Sequence, residues 1–260
     1  DNVSANVSVK NGIDDLSPPV NNRNSSSSSS SSTKKPDITP IEINIDEWGE
    51  EIELIKMRWK KLESDLVKKV NKKDGTIKWD ISKSLWVENH LDIFDSKKAR
   101  VLKKFIQDFK NNLLLYEKLE KSVIHNDIND NNIIVTHDFL NPEVKSIIDF
   151  GDSVYSQTIN DLAITCSYGI MNHNDPLLGC IDIVKGYNEN RKIKDEELKL
   201  LYNLIAMRLV ISVTISSINR NKEPNNKYLF VSEKSAWNLI YKWSEVNSEF
   251  AYYSFRKACS

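Results

Sequence analysis

Two short segments hold the side chains best suited to chemistry: His125-Asn126-Asp127-Ile128-Asn129-Asp130-Asn131-Asn132 and Ile147-Ile148-Asp149-Phe150-Gly151-Asp152. Their residue types fit phosphoryl transfer. That reaction spreads charge over non-bridging oxygens, so a protein lowers its barrier mainly by positioning and by bringing a hard cation against the charge. The parts needed are few: an Asp near the acceptor hydroxyl as base or orienter, an Asn oxygen for the metal, and a second Asp bridging metal and phosphates. Asp127, Asn132 and Asp149 fill these roles in that order. His125 is expected to support the catalytic loop through hydrogen bonds, and Asp152 to add a metal contact or to cap the following turn.

These groups are useful only if the chain brings them together. Val123-Ile124 is a short apolar entry, Ile133-Ile134-Val135 a β-branched strand, Asn141-Pro142 a turn signal, and Val144 to Ile148 a returning strand. In an antiparallel hairpin the residues before the first strand and after the second share one end, which brings Asp127 and Asn132 beside Asp149. Asn and Asp also favour ordinary turns. The joint spacing and the flanking strands favour a site over that blander reading. Arg208 lies in an apolar helical stretch, where an Arg is seldom buried unless paired. Two roles follow for it: an ion-pair partner, or a bidentate grip on a substrate carboxylate or phosphate. His90, His137 and His173 have no partners at ligand spacing, and Trp79 and Trp86 read as packing side chains.

The pattern His-x-Asp-x-x-x-x-Asn followed by Ile-Asp-Phe-Gly-Asp resembles the aminoglycoside phosphotransferase and choline kinase-like group, small-molecule kinases with a protein-kinase-like fold. The resemblance implies Asp127 as catalytic base and Asn132 and Asp149 as magnesium ligands. That group usually has Gly after the motif His; here Asn126 stands there, the side chain that best tolerates a left-handed backbone after Gly. Asp161-Leu162-Ala163, the run Leu204 to Ser216, Glu223 to Leu229 and Trp237 resemble the hydroxylysine kinase branch. Similar domains occur fused to aminotransferase-type enzymes dependent on pyridoxal phosphate, which the ending Phe250 to Cys259 resembles. The resemblance covers roughly residues 78 to 260. It implies magnesium, GTP or ATP as donor, and an alcohol on an amino-bearing acceptor, with 5-hydroxy-L-lysine first. Two other classes stay open: a catalytically silent kinase-like interaction domain, and a kinase for choline, ethanolamine or homoserine. A choline kinase would need an aromatic cage, for which Tyr155, Tyr168 and Trp237 are the candidates.

The expected fold is α+β and mostly helical: the C-terminal lobe of a kinase-like fold around a small catalytic hairpin. Residues 1–40 are Asn- and Ser-rich, with an unbroken tract Ser25 to Ser32, and read as a disordered tail or insertion. Residues 41–77 read as a helical lead-in, with Ile52, Ile55, Trp59, Leu62 and Leu66 on one face of Trp48 to Val70. Residues 78–260 form the phosphotransferase lobe. Neither a strand cluster nor a Gly-rich loop precedes the site, so the nucleotide-holding first lobe is expected to be missing, either because the chain is a fragment or because the lobe was lost. Helices are expected over Lys97 to Leu119, from Asp161 as cap to Met171, from Asp195 to about Ile218, and from Ser232 to Val246. A formal net charge of -1 argues against a nucleic-acid surface. Cys166, Cys180 and Cys259 lack metal-ligand spacing and suit reduced thiols, giving cytoplasm as the default location. No apolar run is expected to approach the roughly 18 residues needed to span a bilayer.

Overall fold

The computed structural model describes residues 61, 64, 65, 78–137, 140–226 and 230–260. The chain divides into two compact units, Asp1–Glu47 and Trp48–Ser260, and all of the described residues lie in the second. The expected tail over 1–40 falls outside them. Of the lead-in over 41–77, Lys61, Ser64 and Asp65 are described, and all three are helical.

A 3-10 segment, Ile81–Ile93, opens the lobe, capped by Asp80, whose side chain accepts from the Ser82 backbone N–H. Helix α1, Ser96–Asn111, follows from an Asp95 cap and buries Leu102, Phe105, Ile106 and Phe109 on one face, the three-and-four spacing of an amphipathic helix. The helix expected over 97–119 is not continuous. It breaks at Asn112 (φ -104°, ψ 5°), whose side-chain amide donates to the Asp108 carbonyl at 2.8 Å, and resumes as one turn, α2, Leu113–Tyr116. An Asn side chain offers the backbone an alternative partner, which explains the interruption.

Strands β1 (Lys121–Ile124), β2 (Ile133–Val135), β3 (Val144–Ile147) and β4 (Val154–Gln157) form two antiparallel ladders, β1 with β4 and β2 with β3. The second ladder is the expected hairpin, with Ile133 opposite Ile147 and Ile134 opposite Ser146. The first was not foreseen. It pairs Ile124 with Val154, so that one ladder nests inside the other in sequence. The connections at 125–132 and 148–153 both run between the two ladders, and they carry the candidate residues.

The rest is helical: α3 (Ile159–Gly169), α4 (Pro176–Asn190), α5 (Asp195–Lys222), α6 (Glu233–Glu245) and α7 (Ser248–Ala258). Asp161 does not cap α3 but lies within its first turn. α4 and α7 add two helices to those expected. Asp175 with Pro176 and Asn247 supply their N-terminal signals, while Gly179 and Gly186 weaken the helical reading of α4. α5 is the central post, buried along most of its length against the opening 3-10 segment, α1, α3, α6 and α7. Contrary to the expectation that no apolar run approaches a membrane span, α5 is long and apolar enough to cross one by length and composition; 89% of its most apolar stretch is buried inside the lobe. Its start is fixed by Glu197, which accepts from the Lys194 backbone N–H at 2.9 Å and pairs with Arg191 through both carboxylate oxygens.

Candidate active site

The inner hairpin closes the site as its sequence implies. Ile148 N–H donates to the Asn132 carbonyl at 3.0 Å, which places Asp149, the next residue, beside Asn132 across the base of the hairpin. Asp149 is exposed and left-handed (φ 61°, ψ 68°), and its carboxylate accepts from the Gly151 N–H at 3.2 Å. Gly151 has a steric role: a Cβ there would come within 2.9 Å of Asp149 Oδ1.

Asn126 occupies the left-handed region (φ 67°), as expected of the residue that replaces Gly after the motif His. Its amide donates to the Asp152 carbonyl at 3.2 Å, while its Oδ1 is buried with no hydrogen-bond partner among the described residues. His125 is buried and supports the loop from both ring nitrogens. Nδ1 accepts from the Asp127 N–H at 3.3 Å, and Nε2 faces the Ile148 carbonyl at 2.9 Å, which requires the proton on Nε2. Its ring packs on Phe150, 4.7 Å between centroids. With both nitrogens so used, His125 ties the two loops together.

Asp161 is the residue the sequence reading placed wrongly, and the structure makes it central. Its carboxylate accepts from the His125 N–H at 2.9 Å and the Asn126 N–H at 2.8 Å, clamping the start of the 125–132 loop onto α3. Burial pushes its carboxyl above the usual carboxylate range, while these backbone donors pull the other way.

Asp127 sits at the junction of the loop and the helical core. Its Oδ2 accepts from the side-chain amides of Asn129 (3.1 Å) and Asn132 (3.0 Å), and its Oδ1 from Arg208 Nη2 at 2.9 Å. Burial raises its carboxyl above the ordinary range; the Arg208 guanidinium and Asn129 oppose that rise, and the nearby Asp152 charge adds to it. Arg208 is 1% exposed. Its Nη1 donates to the Trp79 carbonyl at 2.9 Å and its Nη2 also reaches the Tyr168 hydroxyl at 3.2 Å, while the rings of Trp79 and Tyr168 lie 4.8 and 5.4 Å from the guanidinium carbon. A guanidinium enclosed in this way cannot grip a substrate anion. The ion-pair role therefore stands, and the substrate role expected for Arg208 is corrected.

Beside Asp127 opens a cleft of about 670 Å³, lined by Trp79, Asp127, Asp130, Asp152, Tyr168 and Ser232 among others. Asp152 also lines this cleft. Among the described residues no group of three or more His, Cys, Asp or Glu side chains could hold a metal. The oxygens present still fit magnesium, which keeps several waters and takes one or two protein ligands plus substrate phosphates. Both Asn132 amide hydrogens are directed at Asp127, to its carbonyl and its carboxylate, which leaves the amide oxygen as a hard donor beside Asp149. The aromatic candidates for a cage do not meet: Tyr168 packs on Arg208, Trp237 against Phe94 and Tyr241, and Tyr155 is exposed on β4.

Trp79 and Asp80 also escaped the sequence reading as site residues. Asp80 is buried and accepts from Ser156 Oγ at 2.9 Å, fixing the backbone whose Trp79 carbonyl holds Arg208.

Residues 69–180 match the phosphotransferase enzyme family. The chain is 28% identical over 137 residues to a hydroxylysine kinase of Xenopus laevis, covering 50% of this chain and 36% of that protein. It is 23% identical over 172 residues to a hydroxylysine kinase of Mus musculus, and 23% over 167 residues to one of Bos taurus; each covers 61% of this chain and 44% of the relative. The chain thus spans less than half the length of these curated relatives. The chain is thus similar to phosphotransferases of this family and, among them, to hydroxylysine kinases.

Proposed function

We propose that this lobe is the catalytic part of a small-molecule kinase that moves the terminal phosphoryl group of a nucleoside triphosphate onto the hydroxyl of an amino-bearing acceptor. One observation carries the reading: Asp127, on the wall of an acidic cleft, accepts from Asn132, whose own carbonyl accepts from the N–H of Ile148, the residue before Asp149. An acceptor in the cleft and a donor over the hairpin would then meet at Asp127.

In this reading Asp127 orients the acceptor hydroxyl and takes up its proton as the phosphoryl group arrives. Asn132 and Asp149 hold magnesium, which would neutralise charge on the donor phosphates. His125 and Asp161 keep the loop between them in shape. Among the described residues the side chains lining the cleft that carry charge are Asp127, Asp130 and Asp152, with no Lys or Arg, which favours a cationic acceptor. By likeness to the hydroxylysine kinases, 5-hydroxy-L-lysine is the leading acceptor and GTP the leading donor, with ATP the alternative. Choline is disfavoured, because Trp79 and Tyr168 already enclose Arg208.

The test is phosphoryl transfer from magnesium-GTP and magnesium-ATP to 5-hydroxylysine, ethanolamine, homoserine and choline, using the full-length protein. Turnover of a primary-amine acceptor with little on choline is expected. Preference for choline would sink the cleft argument, and absence of both turnover and nucleotide binding would favour a silent interaction domain.

A further inference from the structure

Resting on that reading, we infer that Arg208 is the positioning residue of the catalytic carboxylate, and that its placement makes Oδ1 of Asp127 the oxygen that receives the acceptor hydroxyl. A carboxylate offers about four lone-pair sites, two on each oxygen. Among the described residues Oδ2 has both of its sites taken, by Asn129 and Asn132, whereas Oδ1 accepts only from Arg208 Nη2. One acceptor site remains, and it is on Oδ1. Asp127 itself lines the cleft.

Arg208 can set this arrangement because it is anchored independently of Asp127. Nη1 is held by the Trp79 carbonyl, on a segment pinned through Asp80 to Ser82 and Ser156. Nη2 is shared with the Tyr168 hydroxyl of α3, and two aromatic faces fix the guanidinium plane. The side chain rises from the middle of α5, the best-buried helix of the lobe. Among the described residues its Nε is buried without a hydrogen-bond partner, which costs the fold free energy. A side chain kept only for packing would not incur that cost. Arg208 therefore works through Asp127, without touching substrate: it holds the carboxylate at one angle, so that the hydroxyl approaches the same oxygen from the cleft side.

The test compares Arg208→Ala with wild type in the full-length protein, with and without added guanidinium ion, scoring kcat and the nucleotide KM separately. Misplacing a reacting group by about 1 Å costs on the order of 10²-fold, so kcat should fall by about that factor while the nucleotide KM stays near the wild-type value. Millimolar guanidinium, filling the slot between Trp79 and Tyr168, should restore part of kcat in Arg208→Ala and none in Asp127→Ala. A folded Arg208→Ala with wild-type kcat overturns the inference, and so does a kcat loss that guanidinium does not relieve. If Arg208→Ala does not fold, Tyr168→Phe removes one anchor and keeps the ring; a several-fold drop in kcat supports the inference, and an unchanged kcat overturns it. Wild-type turnover tests the kinase reading separately. Its absence removes that reading and the inference with it.

Discussion

The two sides of the catalytic loop are built differently. On the cleft side, Asp127 is tied to Arg208, Asn129 and Asn132, the loop start is clamped by Asp161, and Arg208 is enclosed by Trp79, Tyr168 and α5. On the hairpin side, Asp149 is exposed, with apolar Ile134, Val135, Val144, Ile147, Ile148 and Phe150 open around it. The cleft side is set by the lobe's own core before any ligand arrives. The hairpin side contributes little to the lobe's stability, and its groups are available to a ligand. Changes on the first side should therefore appear in kcat or in folding, and changes on the second in nucleotide binding.

The largest effect expected is from Asp127→Ala, which should lower kcat by about two to four orders of magnitude, the usual span for a lost general base, and leave nucleotide affinity intact. A turnover assay paired with nucleotide titration checks both halves. Next comes Asp161→Ala, which strands the buried N–H groups of His125 and Asn126; each such loss costs roughly 1–3 kcal/mol, and denaturant melts should show it. A melt matching wild type would mean the clamp contributes nothing.

Gly151→Ala sharpens the contrast from the other side. The new Cβ would crowd Asp149 Oδ1, the end of a movable side chain, so nucleotide affinity should weaken while stability changes by no more than about 0.5 kcal/mol, as for most surface substitutions. A large drop in stability with normal nucleotide binding would erase the distinction between the two sides. The smallest effect is expected from the first of two changes at Asn126. Asn126→Gly should be close to neutral, while Asn126→Val should cost about 1–2 kcal/mol for forcing a β-branched residue left-handed, as thermal melts of the pair would reveal.

What could be read from sequence divides along similar lines. The β2–β3 hairpin and the meeting of Asn132 with Asp149 follow from local pattern: β-branched runs, a turn signal and short spacing. The left-handed Asn126 was legible by a different route, the resemblance, which places a Gly after the motif His. Asp161, Trp79 and Asp80 were not, because their roles depend on contacts across long stretches of chain. Asp161 reads locally as a helix cap, and only the fold shows its carboxylate turned to the loop 36 residues before it. Arg208 was legible as an oddity in an apolar helix, but its partner, 81 residues away, could not be identified from sequence. The β1–β4 ladder was hidden likewise, since neither strand has a hairpin turn to announce it. The break at Asn112 was not legible, because Phe109, Leu113 and Tyr116 keep the three-and-four spacing straight through it.

The most direct test of the central claim measures kcat and magnesium-nucleotide affinity side by side for wild type, Asp127→Ala and Asp149→Ala in the full-length protein. The account predicts that Asp127→Ala loses turnover while still binding magnesium-nucleotide, and that Asp149→Ala loses productive magnesium-nucleotide binding itself. Normal turnover in either variant, or the reverse assignment of the two losses, would contradict it.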